Sequence, residues 1–152
     1  MAYTTITKST AHHNSVLYTG DGSGQSITGV GFQPDLCIFR KRDGAEEVEW
    51  FDVVRGVENA IKSTGTGAEA GSRGCSAFGA DGFTVNGGQG PTNETSKNYV
   101  TWNWKGGGAG SANTDGSISS TVSANTTAGV SIVKYTGTMS AATVGHGLGK
   151  AP

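Results

Sequence analysis

The stretch that decides the fold is Tyr99-Val100-Thr101-Trp102-Asn103-Trp104-Lys105, in which two sets of side chains alternate. Alternation of this kind places successive side chains on opposite faces of a β-strand. We expect one face to be the core face, and it holds Val100, Trp102 and Trp104. The other face is expected to be polar and solvated, and it holds Tyr99, Thr101, Asn103 and Lys105. A two-sided strand predicts an antiparallel sheet with one packed face.

The composition favours the same fold class. The chain has 152 residues, of which 26 are glycine, and only 15% are charged, too few for a helical bundle or a coiled coil. Glycine-rich turns separate short β-branched and aromatic segments, as expected for strands joined by many tight turns. Further strands are predicted at 15–19, 25–28, 35–40 and 48–54, with a hairpin over 76–85. The pattern over 57–62 fits a helical turn or a strand equally well, and 65–74 and 87–97 are predicted loops.

The domain organisation follows from where the alternating pattern stops. Residues 1–13 are polar and unpatterned and are predicted to form an N-terminal arm. Residues 14–105 are predicted to form one antiparallel β-sandwich. The glycine-rich stretch 106–116 breaks the pattern and is predicted to be a flexible linker. Residues 117–152 would then begin a second, incomplete β domain, with strands at 117–122 and 130–135.

The end of the chain restates its beginning. Val16-Leu17-Tyr18-Thr19-Gly20 corresponds to Val133-Lys134-Tyr135-Thr136-Gly137, and a glycine-spaced turn ending in proline follows in both places, at 29–34 and 145–152. Such internal similarity predicts a repeated structural unit. The second copy stops before its first buried strand, so we expect the sequence to be a fragment of a longer protein.

Several classes of partner and site are disfavoured. The formal net charge of −1 gives no attraction to nucleic acid. No apolar run is long enough for membrane insertion, and the first residues lack a signal-peptide core, so synthesis in the cytoplasm without export is expected. Cys37 and Cys75 do not form a disulfide framework, and a bridge between them is the less favoured alternative. No spacing of ligands predicts a metal site or a cofactor.

No catalytic apparatus is recognisable. The nucleophile motif Gly-x-Ser-x-Gly is absent. An acidic cluster could in principle supply two carboxylates for glycoside cleavage, but a solubilising strand surface explains it as well; it consists of Glu46, Glu47, Glu49 and Asp52. Asp21 or Asp81 could ligate calcium through loop oxygens, although the alternating calcium-loop pattern is missing. Arg55 is expected to pair with Asp52. We therefore expect a protein that is not an enzyme.

Aromatic side chains are the best candidates for binding, because sugars stack their apolar C–H faces on exposed aromatic rings. Trp102 and Trp104 share a face with Val100 and are expected in the core. The predicted ligand-binding residues are therefore Trp50, Tyr99 and Asn103.

Five motifs in order resemble the tandem lectin-like domains of tailed-phage virion proteins, especially those of marine phages and marine metagenomes. They are Tyr18-Thr19-Gly20, Ile27 to Asp35, Phe51-Asp52-Val53-Val54-Arg55-Gly56, Phe78 to Val85, and Tyr99 to Lys105. The segment from Thr143 to Pro152 resembles the opening motif of the next domain of that family. The resemblance covers residues from about 14 to the end.

The resemblance implies a concanavalin-like, jelly-roll β-sandwich in a tail-fibre, tail-associated or capsid-decorating protein. It implies assembly with other virion subunits, with a homotrimer as the natural arrangement for a fibre, and contact with bacterial surface glycans. The expected location is the virion, after assembly in the host cytoplasm. The alternatives are a dedicated carbohydrate-binding lectin module and, less favoured, a glycan-cleaving enzyme. The resemblance carries over no catalytic residue.

Overall fold

A computed structural model describes residues 6–71 and 74–150, and this part of the chain is built from short strands. The strands are β1 (His13–Thr19), β2 (Gln25–Thr28), β3 (Leu36–Lys41), β4 (Glu49–Asp52), β5 (Gly56–Lys62), β6 (Ala70–Gly71), β7 (Cys75–Gly79), β8 (Gly82–Val85), β9 (Asn98–Trp104), β10 (Ser111–Asn113), β11 (Ser120–Asn125) and β12 (Val130–Tyr135). Helical structure in the described residues is limited to a 3₁₀ turn at Ser9–Ala11 and to α1 (Gly90–Asn93). Neither could cross a membrane. The prediction of an all-β protein is confirmed.

The strands form three antiparallel sheets. Sheet A has six strands in the order β1-β9-β3-β4-β5-β6, and β9 lies between β1 and β3. Sheet B has the order β2-β8-β7, and sheet C has the order β10-β11-β12. The predicted hairpin over 76–85 is confirmed as β7 and β8, and the ambiguous segment 57–62 lies in strand β5.

Sheets A and B share one buried apolar cluster. The Phe39 ring of sheet A lies edge-on to Phe51, with 5.4 Å between centroids, and to Phe83 of sheet B, at 5.0 Å. Tyr18 meets Phe83 from β1 at 6.1 Å. Aromatic rings bury more area than other side chains, so these contacts contribute strongly to holding the two sheets together. The cluster consists of Ile27, Val30, Phe32, Cys37, Phe39, Phe51, Ala60, Cys75, Phe83 and Val85.

The face of β9 that points into this cluster is the opposite of the one predicted. Tyr99, Thr101 and Asn103 are fully buried, whereas Trp102 and Trp104 are only half-buried. The alternation in the sequence is real, but the polar side chains lie inside because their hydrogen bonds are made within the protein. The prediction that the tryptophans of β9 occupy the core face is therefore wrong.

The second face of sheet A carries a row of large apolar side chains in register. Trp102 on β9 lies opposite Ile38 on β3, which lies opposite Trp50 on β4, which lies opposite Ile61 on β5. Directly opposed residues share a face and contact each other. Exposure rises from the middle of the row outwards, since Ile38 is 8% exposed, Trp50 36% and Ile61 45%. The row therefore has a buried middle and an open end at β4 and β5.

The predicted flexible linker is an ordered part of the fold where it meets sheet C. Gly107 N donates to Ser123 Oγ at 2.9 Å, and Gly108 N donates to Asp35 Oδ2 at 3.2 Å. A Cβ atom on Gly107 would lie 2.4 Å from the carbonyl oxygen of Ala124, so this position requires glycine. Residues 111–113 form strand β10. The prediction of a flexible linker over 106–116 is wrong for these residues, because the glycines serve close packing there.

Two other segments are more ordered than predicted. The predicted arm 1–13 lies partly outside the described residues, but Ser9–Ala11 form a 3₁₀ turn and the carbonyl of His12 accepts from Lys105 N at 2.8 Å. The predicted loop 87–97 contains α1. Both were missed because hydrogen bonds to distant parts of the chain hold them, and local sequence pattern does not encode such bonds.

The predicted repeat and the second domain stay predictions. Tyr18 in β1 packs into the core, while Tyr135 at the end of β12 is 55% exposed. The turns that follow these two tyrosines also differ in how closely they are packed. A Cβ atom on Gly20 would lie 2.4 Å from the carbonyl oxygen of Glu94, whereas one on Gly137 would have no neighbour within 4 Å. Pro152, which ends the second turn, lies outside the described residues.

Candidate functional site

A groove lies between the open end of the apolar row and strand β12. Its volume is about 530 Å³, within the range of about 300–1,000 Å³ common for small-ligand sites. Sheet A supplies one wall and sheet C the other, so the site depends on both. The apolar side chains that line it are Leu36, Trp50, Val54, Ile61, Ile132, Val133 and Tyr135.

A β-bulge sets the position of Trp50 in this groove. The pairing of β4 with β5 shifts register between Trp50 and Asp52. Bulges bend a strand and redirect its side chains, and they are common next to functional sites. The carbonyl of Trp50 accepts a hydrogen bond from Arg55 Nη2 at 2.9 Å. Arg55, in the turn that follows β4, therefore fixes the backbone that carries the indole ring.

Asp52 and Arg55 form a buried ion pair in the lining of the groove. Arg55 Nε donates to Asp52 Oδ2 at 2.6 Å, and both side chains are at most 10% exposed. Asp52 Oδ1 accepts from the backbone N–H groups of Val54 and Arg55 at 2.9 and 2.8 Å. The predicted pairing of these two residues is confirmed. Because every oxygen of the carboxylate is occupied, Asp52 acts as a structural clasp for the β4–β5 turn.

The remaining donors of Arg55 are also committed. Its Nη1 donates to the carbonyl of Asn59 at 2.8 Å and to Glu69 Oε2 at 3.3 Å. Glu69 lies at the rim with 38% of its side chain exposed, and Lys134 lines the groove from the exposed end of β12. The groove thus has an apolar floor and two solvated rim charges of opposite sign.

A family model for a domain of unknown function, DUF7483, matches residues 8–152. That span covers nearly the whole chain. The chain belongs to the DUF7483 family. Comparisons with curated proteins and with solved structures gave no match. The DUF7483 match covers sheets A, B and C together, so both walls of the groove lie within the family domain.

Tyr99 was predicted to be a ligand-binding residue at the surface, but it lies in the interior of this DUF7483 domain. The side chain has no exposed area, and its ring stacks on Tyr18 with 5.2 Å between centroids. The hydroxyl accepts from Glu94 N at 2.9 Å and donates to the carbonyl of Gly90 at 2.7 Å. Burial raises the pKa of this phenol. Tyr99 therefore ties the α1 segment to sheet A, and the prediction that it is exposed is wrong.

Asn103 is likewise buried, and its polar atoms have partners within sheet A. Its Nδ2 donates to the carbonyl of Asn14 at 3.0 Å and to Thr101 Oγ1 at 3.1 Å. Its Oδ1 accepts from Cys37 Sγ at 3.1 Å. An amide whose partners are all internal is not available to a ligand. Of the three predicted binding residues, the structure leaves only Trp50 in contact with solvent.

The acidic cluster does not form a pair of free carboxylates. Glu46 lies 3.7 Å from Lys41, and Glu47 pairs with Lys62. Glu49 is 2% exposed on the core side of β4, and Asp52 lies on the other side. These two side chains therefore lie on opposite faces of β4. The four carboxylates therefore occupy four separate environments: Glu46, Glu47 and Asp52 each lie beside a different cation, and Glu49 lies in the protein interior.

The acidic loop residues considered for calcium hold turns in place. Asp81 accepts from Gly29 N through Oδ2 at 3.1 Å and from Gly31 N through Oδ1 at 2.6 Å. Asp21 Oδ1 accepts from Ser23 N at 2.8 Å, and this contact lowers the pKa of Asp21. Across residues 6–71 and 74–150, no three His, Cys, Asp or Glu side chains lie together in a way that could hold a metal ion.

Both cysteines are buried, free thiols in the shared core. Burial raises the pKa of Cys75 to about 12 and raises that of Cys37 as well. A thiol with so high a pKa carries almost no thiolate at neutral pH and is a poor nucleophile. The two cysteines act as small apolar side chains in this core.

Tyr135 is the groove residue that sequence reasoning missed as a site. Its only signal was membership of the repeat, which predicts a role like that of Tyr18 in the core. Its exposure of 55% instead places a second aromatic ring on the groove lining opposite sheet A. Two aromatic side chains from different sheets define the candidate site.

Proposed function

We propose that this DUF7483 domain is a non-enzymatic virion domain of a tailed phage that contacts bacterial surface glycans through the groove. The resemblance of the five motifs to phage virion domains supports the virion role. The apolar cluster shared by two antiparallel sheets supports a concanavalin-like sandwich formed by sheets A and B, with sheet C as an added layer.

The observation that carries the glycan proposal is the pair of aromatic side chains on the groove. Trp50 is 36% exposed and Tyr135 is 55% exposed, and the two come from opposite walls. Large exposed aromatics in a concave site favour binding, since monomeric proteins rarely expose contiguous apolar surface without a partner. A pyranose ring suits this groove because its C–H face packs on an aromatic ring while its hydroxyls stay solvated.

The contacts of the charged groups argue for binding rather than cleavage. Glycoside hydrolysis requires two carboxylates on either side of the scissile bond. The groove has Asp52, whose oxygens are all occupied, and Glu69, which is paired with Arg55. Asp52 could act as an acid or nucleophile only by losing these hydrogen bonds, and Glu69 only by losing its contact with Arg55. The lectin-module alternative uses the same groove and differs only in that the domain would act outside a particle.

Titration of the full chain with bacterial surface oligosaccharides, followed by calorimetry, tests the glycan proposal. We expect Trp50→Ala to weaken binding by about tenfold or more, which corresponds to about 1.4 kcal/mol. Leu17→Ala is the matched control, because Leu17 is 62% exposed on the same face of sheet A but does not line the groove. Equal affinity in Trp50→Ala, or an equal loss in Leu17→Ala, would contradict the proposal.

The virion role has a separate test. Mass spectrometry of purified particles from a phage that encodes this sequence should detect the chain, and sedimentation of the full chain should reveal homo-oligomers, with a trimer expected for a fibre. Glycan binding by a monomer that is absent from particles would favour the dedicated lectin module instead.

A further inference from the structure

Two acidic and two basic side chains line the groove, so their formal charges sum to zero. The buried pair, Asp52 and Arg55, is unavailable to a ligand. Asp52 and Arg55 line the groove, but their side chains are at most 10% exposed, and each is hydrogen-bonded to the other and to the backbone. A ligand charge could pair with either only by displacing a buried hydrogen bond, and breaking a buried pair is strongly unfavourable. The inner pair therefore provides rigidity and offers a ligand no charge.

The two rim charges are opposite and exposed to water. Glu69 is partly neutralised by Arg55, and Lys134 lies on the exposed end of β12. Ion pairs formed at such solvated positions contribute little, because water and salt screen them. Neither an anionic nor a cationic ligand would therefore gain much binding free energy from Lys134 or Glu69.

The floor of the groove would penalise a ligand charge. Leu36, Val54 and Ile61 supply aliphatic surface beside Trp50. Placing a carboxylate against such surface removes water from it without providing a partner, which is costly. A neutral sugar ring avoids this cost because its C–H face is apolar and its hydroxyls can point to solvent.

Building on the glycan-binding function proposed above, we propose that the groove selects neutral hexopyranose residues and discriminates against uronic, sialic and phosphorylated sugars. The neutral ring stacks on Trp50, and Tyr135 contacts it from the opposite wall. Selectivity arises from the balanced, saturated charges of the groove combined with its apolar floor.

Matched neutral and acidic oligosaccharides provide the test. The probes are hexamers of galactose and mannose and their C6-oxidised counterparts, hexamers of galacturonic and mannuronic acid. Calorimetric titration of the full chain at 20 and 500 mM NaCl should give at least one neutral hexamer binding about tenfold or more tightly than its uronic counterpart. The affinity for that neutral hexamer should change less than about twofold between the two salt concentrations and should fall about tenfold or more in Trp50→Ala.

Lys134→Gln separates the two levels of the proposal, because Lys134 is the rim cation and its side chain is not part of the core. A neutral hexamer that still binds about tenfold or more tightly than its uronic counterpart in this variant supports the inference. Tighter binding of the uronic hexamers, weakened by salt and abolished in Lys134→Gln but still dependent on Trp50, would overturn neutral selectivity and leave the glycan-binding function standing. Binding of no hexamer of either kind, at either salt concentration, would remove the glycan-binding function itself.

Discussion

Replacing Tyr99 by phenylalanine tests whether this side chain holds the core together or belongs to the surface. The Tyr99 hydroxyl accepts from Glu94 N and donates to the carbonyl of Gly90. Phenylalanine keeps the ring and its stacking on Tyr18, so the change removes these two hydrogen bonds and almost no volume. Leaving a buried donor without a partner costs about 1–3 kcal/mol. We expect Tyr99→Phe to lower the free energy of unfolding by that amount.

Urea unfolding followed by tryptophan fluorescence measures this change. The midpoint should fall while the slope with denaturant stays constant, because the folded state buries the same surface. Tyr135→Phe is the matched control, since Tyr135 is 55% exposed at the end of β12. Removing a surface hydroxyl is expected to change the free energy of unfolding by no more than about 0.5 kcal/mol. If Tyr99→Phe were as mild as Tyr135→Phe, the assignment of Tyr99 to an internal hydrogen-bonded position would be refuted.

Three further predictions concern packing, charge and thiol chemistry. Gly107→Ala should cost about 1–3 kcal/mol in urea unfolding, because its Cβ would clash with a backbone carbonyl, while Gly137→Ala should be neutral; equal effects would contradict the ordered linker. The Lys41 ammonium lowers the pKa of Glu94, so this contact stabilises the fold above about pH 4.5, the ordinary value, and is lost on further acidification. The stability of Glu94→Gln should therefore fall less than that of wild type between pH 5 and pH 2, and parallel curves would argue against the contact. Cys75, with a pKa of about 12, should resist iodoacetamide at pH 8 until urea unfolds the chain, as mass spectrometry can follow; rapid native labelling would contradict its burial.

Local chemistry allowed the strands and tight turns to be predicted from the sequence. The hairpin β7–β8 was predicted from two apolar segments around a glycine turn, and the structure confirms it. Asp81 in that turn also anchors Gly29 and Gly31, which are 50 or more residues away in sequence. The local part of its role is visible in the sequence, whereas the distant part depends on how the sheets meet.

The ordered segment at Gly106–Gly108 could not be predicted because glycine has two opposite uses. A run of glycines forms a flexible linker when nothing contacts it, and it allows close packing when a backbone must lie against another. Ser123 and Asp35 decide between the two here, by hydrogen bonds to Gly107 and Gly108. Those partners lie 16 and 73 residues away, so composition alone does not reveal them.

One physical cause explains why the sequence pattern predicts the wrong inner face for strand β9 and does not reveal the groove. A period of two identifies two faces but does not say which is the inner one when both are covered. In sheet A the face with Asn103 is inside because its amide is fully hydrogen-bonded, and this places Trp102 on the second face, in register with Ile38 and Trp50. The tryptophans of β9 and β4 thus belong to one apolar row, and strand β12 of sheet C lies across the groove from the Trp50 end of that row. The exposed end of that row consists of Trp50 and Ile61, so the same arrangement that buries Asn103 also creates the groove.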